Sequence, residues 1–144
     1  MAFWLFKQEP GCYSFANLEA DGTTVWDGVA NALAQKHLRS VKVGDLVFFY
    51  HTGDEKAVVG IATALDDAYP DPADKSGKAA VVDVAPVRKL DRPVTLAEIK
   101  ADQSFKTFPL VRISRLSVMP VSDAEWKRIE KLAGAAGGAG KAGG

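Results

Sequence analysis

Phe3-Trp4-Leu5-Phe6-Lys7-Gln8-Glu9-Pro10 opens the chain, and Val25-Trp26-Asp27-Gly28-Val29 follows a short way on. The first stretch reads as a strand over residues 2–7, ended by Pro10-Gly11. The second sets a tryptophan and an acid just before a glycine turn and a helix. One strand end and one loop therefore offer an indole, an ammonium, carboxylates and amides from nearby stretches of chain. That mixture suits a slot that grips a flat, polar, heteroaromatic ring such as a nucleobase.

Outward from these stretches, Ser14 reads as the N-cap of a short helix that begins at Phe15 and stops near Asp21-Gly22. Asp27-Gly28 turns the chain into a helix of about eleven residues, judged by its periodicity. Ala30, Leu33, Ala34, His37, Leu38 and Val41 share one face of it, and Lys36, Arg39 and Lys42 fall away from that face. Leu46-Val47-Phe48-Phe49-Tyr50-His51 is a strand apolar enough to be buried on both sides. Residues 52–55 read as a hairpin loop, and residues 57–65 as the return strand, with Gly60 marking a bulge or a close backbone approach. Residues 68–77 read as a loop and residues 79–88 as another strand. Thr95 with Glu98 forms a capping box for a helix over residues 96–101. Residues 108–116 are expected to include a further strand. Ser122 with Glu125 then caps a last helix that carries Trp126, Ile129 and Leu132. Several strands with short helices between them, and no regular βαβ rhythm, predict an α+β domain around a mixed, barrel-like sheet.

The chain has 144 residues, enough for one domain with a real core. Lys plus Arg and Asp plus Glu both number 18, so the formal net charge is zero. A protein that coats a duplex carries a strong basic excess, because phosphate contacts dominate its affinity. Zero charge points instead to a local basic patch and a pocket. Cys12 is the only cysteine, which excludes an internal disulfide and a cysteine-based zinc site and fits the reducing cytoplasm. No apolar run approaches the ~18–20 residues of a membrane span, and no secretory signal is visible at the N-terminus. From residue 133 onward the chain is almost only Gly and Ala. A disordered tail is expected there, after a domain over residues 1–132.

Each candidate residue also has a plainer reading. Trp26 is either a pocket wall, with base stacking worth ~1–3 kcal/mol, or core packing. Trp4 and Trp126 read as packing. Lys7, Gln8 and Glu9 read as a solvated strand end, or as donors and acceptors for a base edge, with Lys7 able to hold a phosphate. Asn31 can cap its helix or contact a ligand, since an amide both donates and accepts. Gly28 to Asn31, taken as the start of that helix, would expose backbone N–H groups to an anion or carbonyl. Tyr50, His51 and Thr52 close the central strand as a second wall. Lys36 and Arg39 on one helix, and Arg112, Ser114 and Arg115 on the late strand, read as solvated surface or as a local phosphate patch. Two histidines without acidic partners at ligand spacing predict no metal and no cofactor.

The strings WLFKQEP, VWDGVANALAQKHL, GDLVFFYHTG, VVGIATALDDAYPD and LVRISRLSVMPV, in this order, resemble the EVE domain family over nearly the whole chain up to about Leu132. The resemblance implies a PUA-like fold, a small curved mixed β-barrel flanked by short helices, related to PUA, ASCH and YTH domains. It implies a reader of a modified base in DNA or RNA, with modified cytosine favoured, and the chain is expected to be a monomer. In YTH domains a lysine-bearing first strand, a tryptophan before a helix and an aromatic central strand build the base cage. The matching elements here are Phe6-Lys7-Gln8, Val25-Trp26-Asp27 and Phe48-Phe49-Tyr50-His51. Ligand contacts are then expected from Lys7, Gln8, Glu9 and Ser14, from Trp26, Asp27, Gly28, Val29 and Asn31, and from Tyr50, His51 and Thr52. Lys36, Arg39, Arg112 and Arg115 would touch the backbone. Two departures bear on ligand choice. Ala30 stands where the family has an arginine, and Gln8 where a serine is usual. The alternative is an amidohydrolase like some ASCH relatives, which use a lysine, a threonine and a glutamate on acylated nucleosides. Lys7, Glu9 and Thr52 supply those residue types, and a depressed lysine pKa would be required.

Overall fold

The computed structural model describes residues 1–134. Strand β1 (Phe3–Gln8) lies between β3 (Leu46–His51), with which it runs parallel, and the edge strand β7 (Val118–Val121). Beyond β3 come β4 (Ala57–Ala64), the long β6 (Ala80–Thr95) and the short edge strand β2 (Thr24–Trp26), all antiparallel to their neighbours, with β5 (Tyr69–Pro70) also paired to β6. The sheet curls strongly. Trp26 on edge strand β2 packs its ring 5.2 Å from that of Phe6 on β1 and 5.3 Å from that of Phe49 on β3, although β6 and β4 separate them in strand order. This is the curved mixed sheet with short flanking helices that the sequence predicts.

The parallel register pairs Lys7 with Tyr50 and Gln8 with His51. Since side chains alternate across a strand, β1 and β3 present two different sets. Phe3 and Phe48 face α5 (Asp123–Gly134), where both stack on Trp126 at 4.5 and 3.7 Å. Phe6 and Phe49 face the inside of the curl, where Phe49 meets Trp26 and also Phe15 of α1 (Phe15–Asp21). Gly60 allows that last approach, because a Cβ there would stand 2.5 Å from Phe15 Cζ. The register shifts beside it bend β4 against both neighbours. Asp45, 3% exposed, ties the N-terminus to the turn before β3. Its oxygens accept from the N–H groups of Ala2 and Lys42 and from Trp4 Nε1, each at 2.9 Å. Burial opposes ionisation of Asp45, but these three donors outweigh it and hold the carboxyl below its usual range.

All three expected N-caps form: Ser14 accepts from Asn17 N–H, Thr95 from Glu98 N–H and Ser122 from Glu125 N–H. Several expectations need correction, among them the loop over residues 68–77, in which Tyr69–Pro70 pairs with β6 as a short strand. Helix α2 spans Ala32–Arg39, eight residues rather than eleven. Gly28 holds φ at +71°, outside the helical range, so the helix begins only after the Asn31 cap. Its buried side holds Ala34, Gln35 and Leu38, while Leu33 is 40% exposed. Residues 108–116 contain no strand. Pro109 stands at the first position of a short helix, α4 (Pro109–Arg112), where its missing N–H costs nothing. Strand β6 runs past residue 88 to Thr95, and Val118–Val121 is the late strand. Helix α5 runs on to Gly134, so residues 133 and 134, expected to open the tail, are helical, and the rest of the expected tail lies outside the described residues. Between β6 and α4 come α3 (Leu96–Ala101) and a 3₁₀ turn over Gln103–Phe105. Among the described residues no helix is long and apolar enough to cross a membrane.

Candidate functional site

The two-residue alternation of β1 divides the expected pocket in two. On the inside of the curl, Gln8, Tyr13, Thr24, Val25, Trp26 and Asp27 line a cavity of about 130 Å³. On the other face, Lys7 and Tyr50 line a larger one of about 280 Å³ with Thr52, Lys56, Lys100 and Ser114. The chain thus brings Gln8 together with Trp26 and Asp27. It sends Lys7 and Tyr50 through the sheet to a different place.

The smaller cavity has an aromatic floor and a polar rim. Trp26 is only 4% exposed, its ring held by Phe6 and Phe49. It is therefore chiefly a core residue that presents an edge to the cavity. Tyr13, anchored by a hydrogen bond from its hydroxyl to Asp21 at 2.8 Å, also lines the cavity. Burial pushes its hydroxyl pKa up, so it stays neutral. The Asp27 side chain is exposed at the rim. Gln8 Oε1 accepts the backbone N–H of Glu9 at 3.1 Å, which leaves its amide NH₂ to donate. Tyr13 and Thr24 were not among the expected contacts. Thr24 belongs to a strand of three residues, too short to read, and Tyr13 is signalled only by its place just before the Ser14 cap.

Other expected residues do structural work. His51 is buried, with Nε2 accepting the Phe15 N–H at 3.0 Å. Its Nδ1 therefore carries the proton and donates to Glu55 Oε1 at 2.7 Å. Both ring nitrogens are taken up by these two contacts. Ser14 Oγ caps Asn17, and Asn31 Oδ1 caps Ala34 N–H, so the Asn31 oxygen is taken while its NH₂ remains. Because α2 starts at Ala32, Gly28, Val29 and Ala30 form an irregular arm between the cavity and the helix, not the helix N-terminus. Val29 O accepts from Gln35 Nε2 at 2.7 Å, which ties that arm to α2. Lys36 is exposed, and Arg39 donates to Lys78 O at 2.6 Å. Arg112 closes α4, and Arg115 lies in the turn after it, both exposed and neither on a strand.

For the hydrolytic reading, Lys7, Glu9 and Thr52 lie at the neighbouring C-terminal ends of β1 and β3. Glu9 accepts from Gly11 N–H at 3.2 Å and from Thr52 Oγ1 at 3.4 Å. Lys7 Nζ turns to the Ser114 carbonyl at 2.9 Å, and burial lowers its pKa. Among the described residues Lys7 has no ion pair with Glu9.

A curled mixed sheet with helices on both sides and cavities at its strand ends defines a domain of the PUA-like class. Within that class the chain belongs to the EVE domain family, whose model matches residues 2–132. It is 32% identical to human thymocyte nuclear protein 1 over 90% of this chain and 72% of that protein. The NMR structure of Rpa0253 from Rhodopseudomonas palustris superposes with a TM-score of 0.89 at 42% identity, covering 94% of each chain. The crystal structure of human THYN1 protein in complex with 5-methylcytosine-containing DNA superposes with a TM-score of 0.84 at 32% identity, covering 92% of this chain and 98% of that one.

Proposed function

We propose that this domain binds nucleic acid and reads a modified base, with modified cytosine favoured, in the cavity between the end of β1 and the Trp26-Asp27 corner. The observation that carries this reading is the cavity itself, an aromatic floor with a carboxylate and an amide on its rim, in a chain whose relative THYN1 crystallised with 5-methylcytosine DNA. At about 130 Å³ the cavity accommodates a single ring and is smaller than the ~300 Å³ or more of a usual small-molecule site. The base must then leave its stack or come from a single strand. Asp27 can accept from the exocyclic amine of cytosine, and the Gln8 amide can donate to its carbonyl oxygen. Trp26, mostly buried, supplies a rigid floor edge, with Tyr13 as a second aromatic lining residue.

The chemistry proposed is binding alone. Among the described residues, no side chain lining this cavity is arranged as a nucleophile with an activating base, and His51 at the end of β3 has both nitrogens engaged. Binding of matched DNA and RNA oligonucleotides carrying unmodified, methylated or hydroxymethylated cytosine, or methylated adenine, tests the reading. Modification-dependent affinity supports it, and equal affinity for all of them refutes it. Turnover of acetylated cytidine, abolished by Lys7→Ala, would instead establish the hydrolase.

A further inference from the structure

We propose that the second cavity, on the opposite face of the sheet, is a nucleotide-phosphate site built from Lys7, Lys56 and Lys100. In its polymer form, the phosphate of a nucleotide flanking the read base, this inference rests on the base-reading proposal.

Three ammonium groups line a cavity of about 280 Å³ that has no carboxylate in its wall. The chain as a whole is neutral, so this is a local excess of cations. Among the described residues, none of the three lysines takes part in an ion pair, whereas Arg88, Arg92 and Arg128 all do. Lys7 is the most telling. Its ammonium is partly buried, lies 5.7 Å above the Tyr50 ring and has one carbonyl, that of Ser114, as its acceptor. A cation drawn from water without a counter-ion is disfavoured, and the burial that lowers the pKa of Lys7 expresses that cost. An anion seated in the cavity would offset it.

The remaining lining fits a phosphate attached to a sugar. Tyr50 is 3% exposed, and burial raises its hydroxyl to about 12, so it stays a donor at neutral pH. That hydroxyl has no hydrogen-bond partner among the described residues. Leu96, Leu110 and Val111 supply an apolar side for the sugar. Glu9 touches Thr52 at the edge but also accepts the Gly11 N–H, and it does not line the cavity. The lysines come from three separate elements: β1, the turn before β4, and α3. No sequence spacing announces such a site.

The test is the double variant Lys56→Gln/Lys100→Gln, both positions being exposed. Its binding to DNA, with and without one 5-methylcytosine, is measured over a range of salt. Affinity for both DNAs should fall about tenfold at low salt. For each phosphate that is no longer neutralised, the slope of log K against log salt should become shallower by ~0.7 on single strands or ~0.9 on duplex. The preference for the modified base should not change. Wild-type affinity and slope in the variant would overturn the proposal. Loss of base preference in the wild type, with the lysine effect intact, would instead refute the base reader and leave this site standing. Titration of the wild type with cytidine 5′-monophosphate and with inorganic phosphate, followed by NMR, separates the sources. Shifts at Tyr50, Thr52 and Ser114 are expected with the nucleotide. A nucleotide bound as tightly as an oligonucleotide assigns the site to free nucleotides, tighter oligonucleotide binding assigns it to the polymer, and no shift with either ligand overturns it.

Discussion

Replacing Trp26 with alanine should cost the protein much of its stability, and that effect must be separated from any effect on binding. The ring is 4% exposed and sits 5.2 Å from Phe6 and 5.3 Å from Phe49, where the curled sheet closes on itself. A buried aromatic ring removes about 150–250 Å² from water, worth about 4–6 kcal/mol at ~25 cal/mol/Å². Aromatic-to-alanine changes in cores cost ~3–5 kcal/mol once partial collapse is allowed for. A domain of this size has on the order of 5–15 kcal/mol in total. Urea unfolding followed by far-UV circular dichroism measures the change. With an m-value of about 2 kcal/mol/M, a loss of ~4 kcal/mol moves the midpoint down by ~2 M. Trp26→Phe keeps the floor filled and should lose ~1–2 kcal/mol. A Trp26→Ala protein destabilised by less than about 1 kcal/mol would mean that the indole is a dispensable pocket wall and not core packing.

Three further outcomes follow from the packing and the ion pairs. Gly60→Ala drives a Cβ to within 2.6 Å of both Phe15 Cε atoms and should cost ~1–3 kcal/mol. Phe15→Leu in the same chain should relieve part of that cost, which a double-mutant cycle in urea checks. Asp45→Ala leaves two backbone N–H groups and the Trp4 indole without their acceptor, so thermal unfolding should show a loss of ~3 kcal/mol or more. Glu98 receives both Arg92 nitrogens at 3.1 and 2.8 Å and titrates at about 2 instead of 4.5. Its folded pKa is depressed, so its contribution is complete above pH 4.5 and is lost as the pH falls toward 2. Because the pair is partly solvent-screened, that contribution is ~1–2 kcal/mol. Urea titrations between pH 2 and pH 6 should show this part of the acid sensitivity vanish in Glu98→Gln.

Local signals in the chain were legible, and relations between distant stretches were not. Ser14, Thr95 and Ser122 could be read as caps because a cap and its bonded N–H lie within three residues of each other. The central strand could be read because six consecutive apolar or aromatic residues fit little else. Residues 108–116 misled because a short apolar run has no clear period, and Pro109 opens a helix as readily as it breaks a strand. At the site, Gln8, Trp26 and Asp27 line one cavity, while Lys7 and Tyr50, which the resemblance put in the same pocket, line another. The separation of Lys7 from Gln8 was implicit in strand alternation, but which face each took depended on the curl of the sheet. His51 looked available because nothing local reveals that Phe15 N–H, thirty-six positions away, occupies its Nε2. Lys56 and Lys100 had no signal at all, since only the fold brings them to Lys7.

The most direct measurement of the central claim is the affinity ratio between two DNAs that differ by one 5-methyl group on cytosine, for the wild type and for Gln8→Ala and Asp27→Ala. Burying one methyl is worth ~0.8 kcal/mol, or about fourfold in affinity. A ratio of about four, up to tenfold, is expected in the wild type. In the two variants both DNAs should bind more weakly and the ratio should collapse, while the fold stays normal because both substitutions lie at the cavity rim. A wild-type ratio of one, or a ratio that survives both substitutions, would contradict base reading at this cavity.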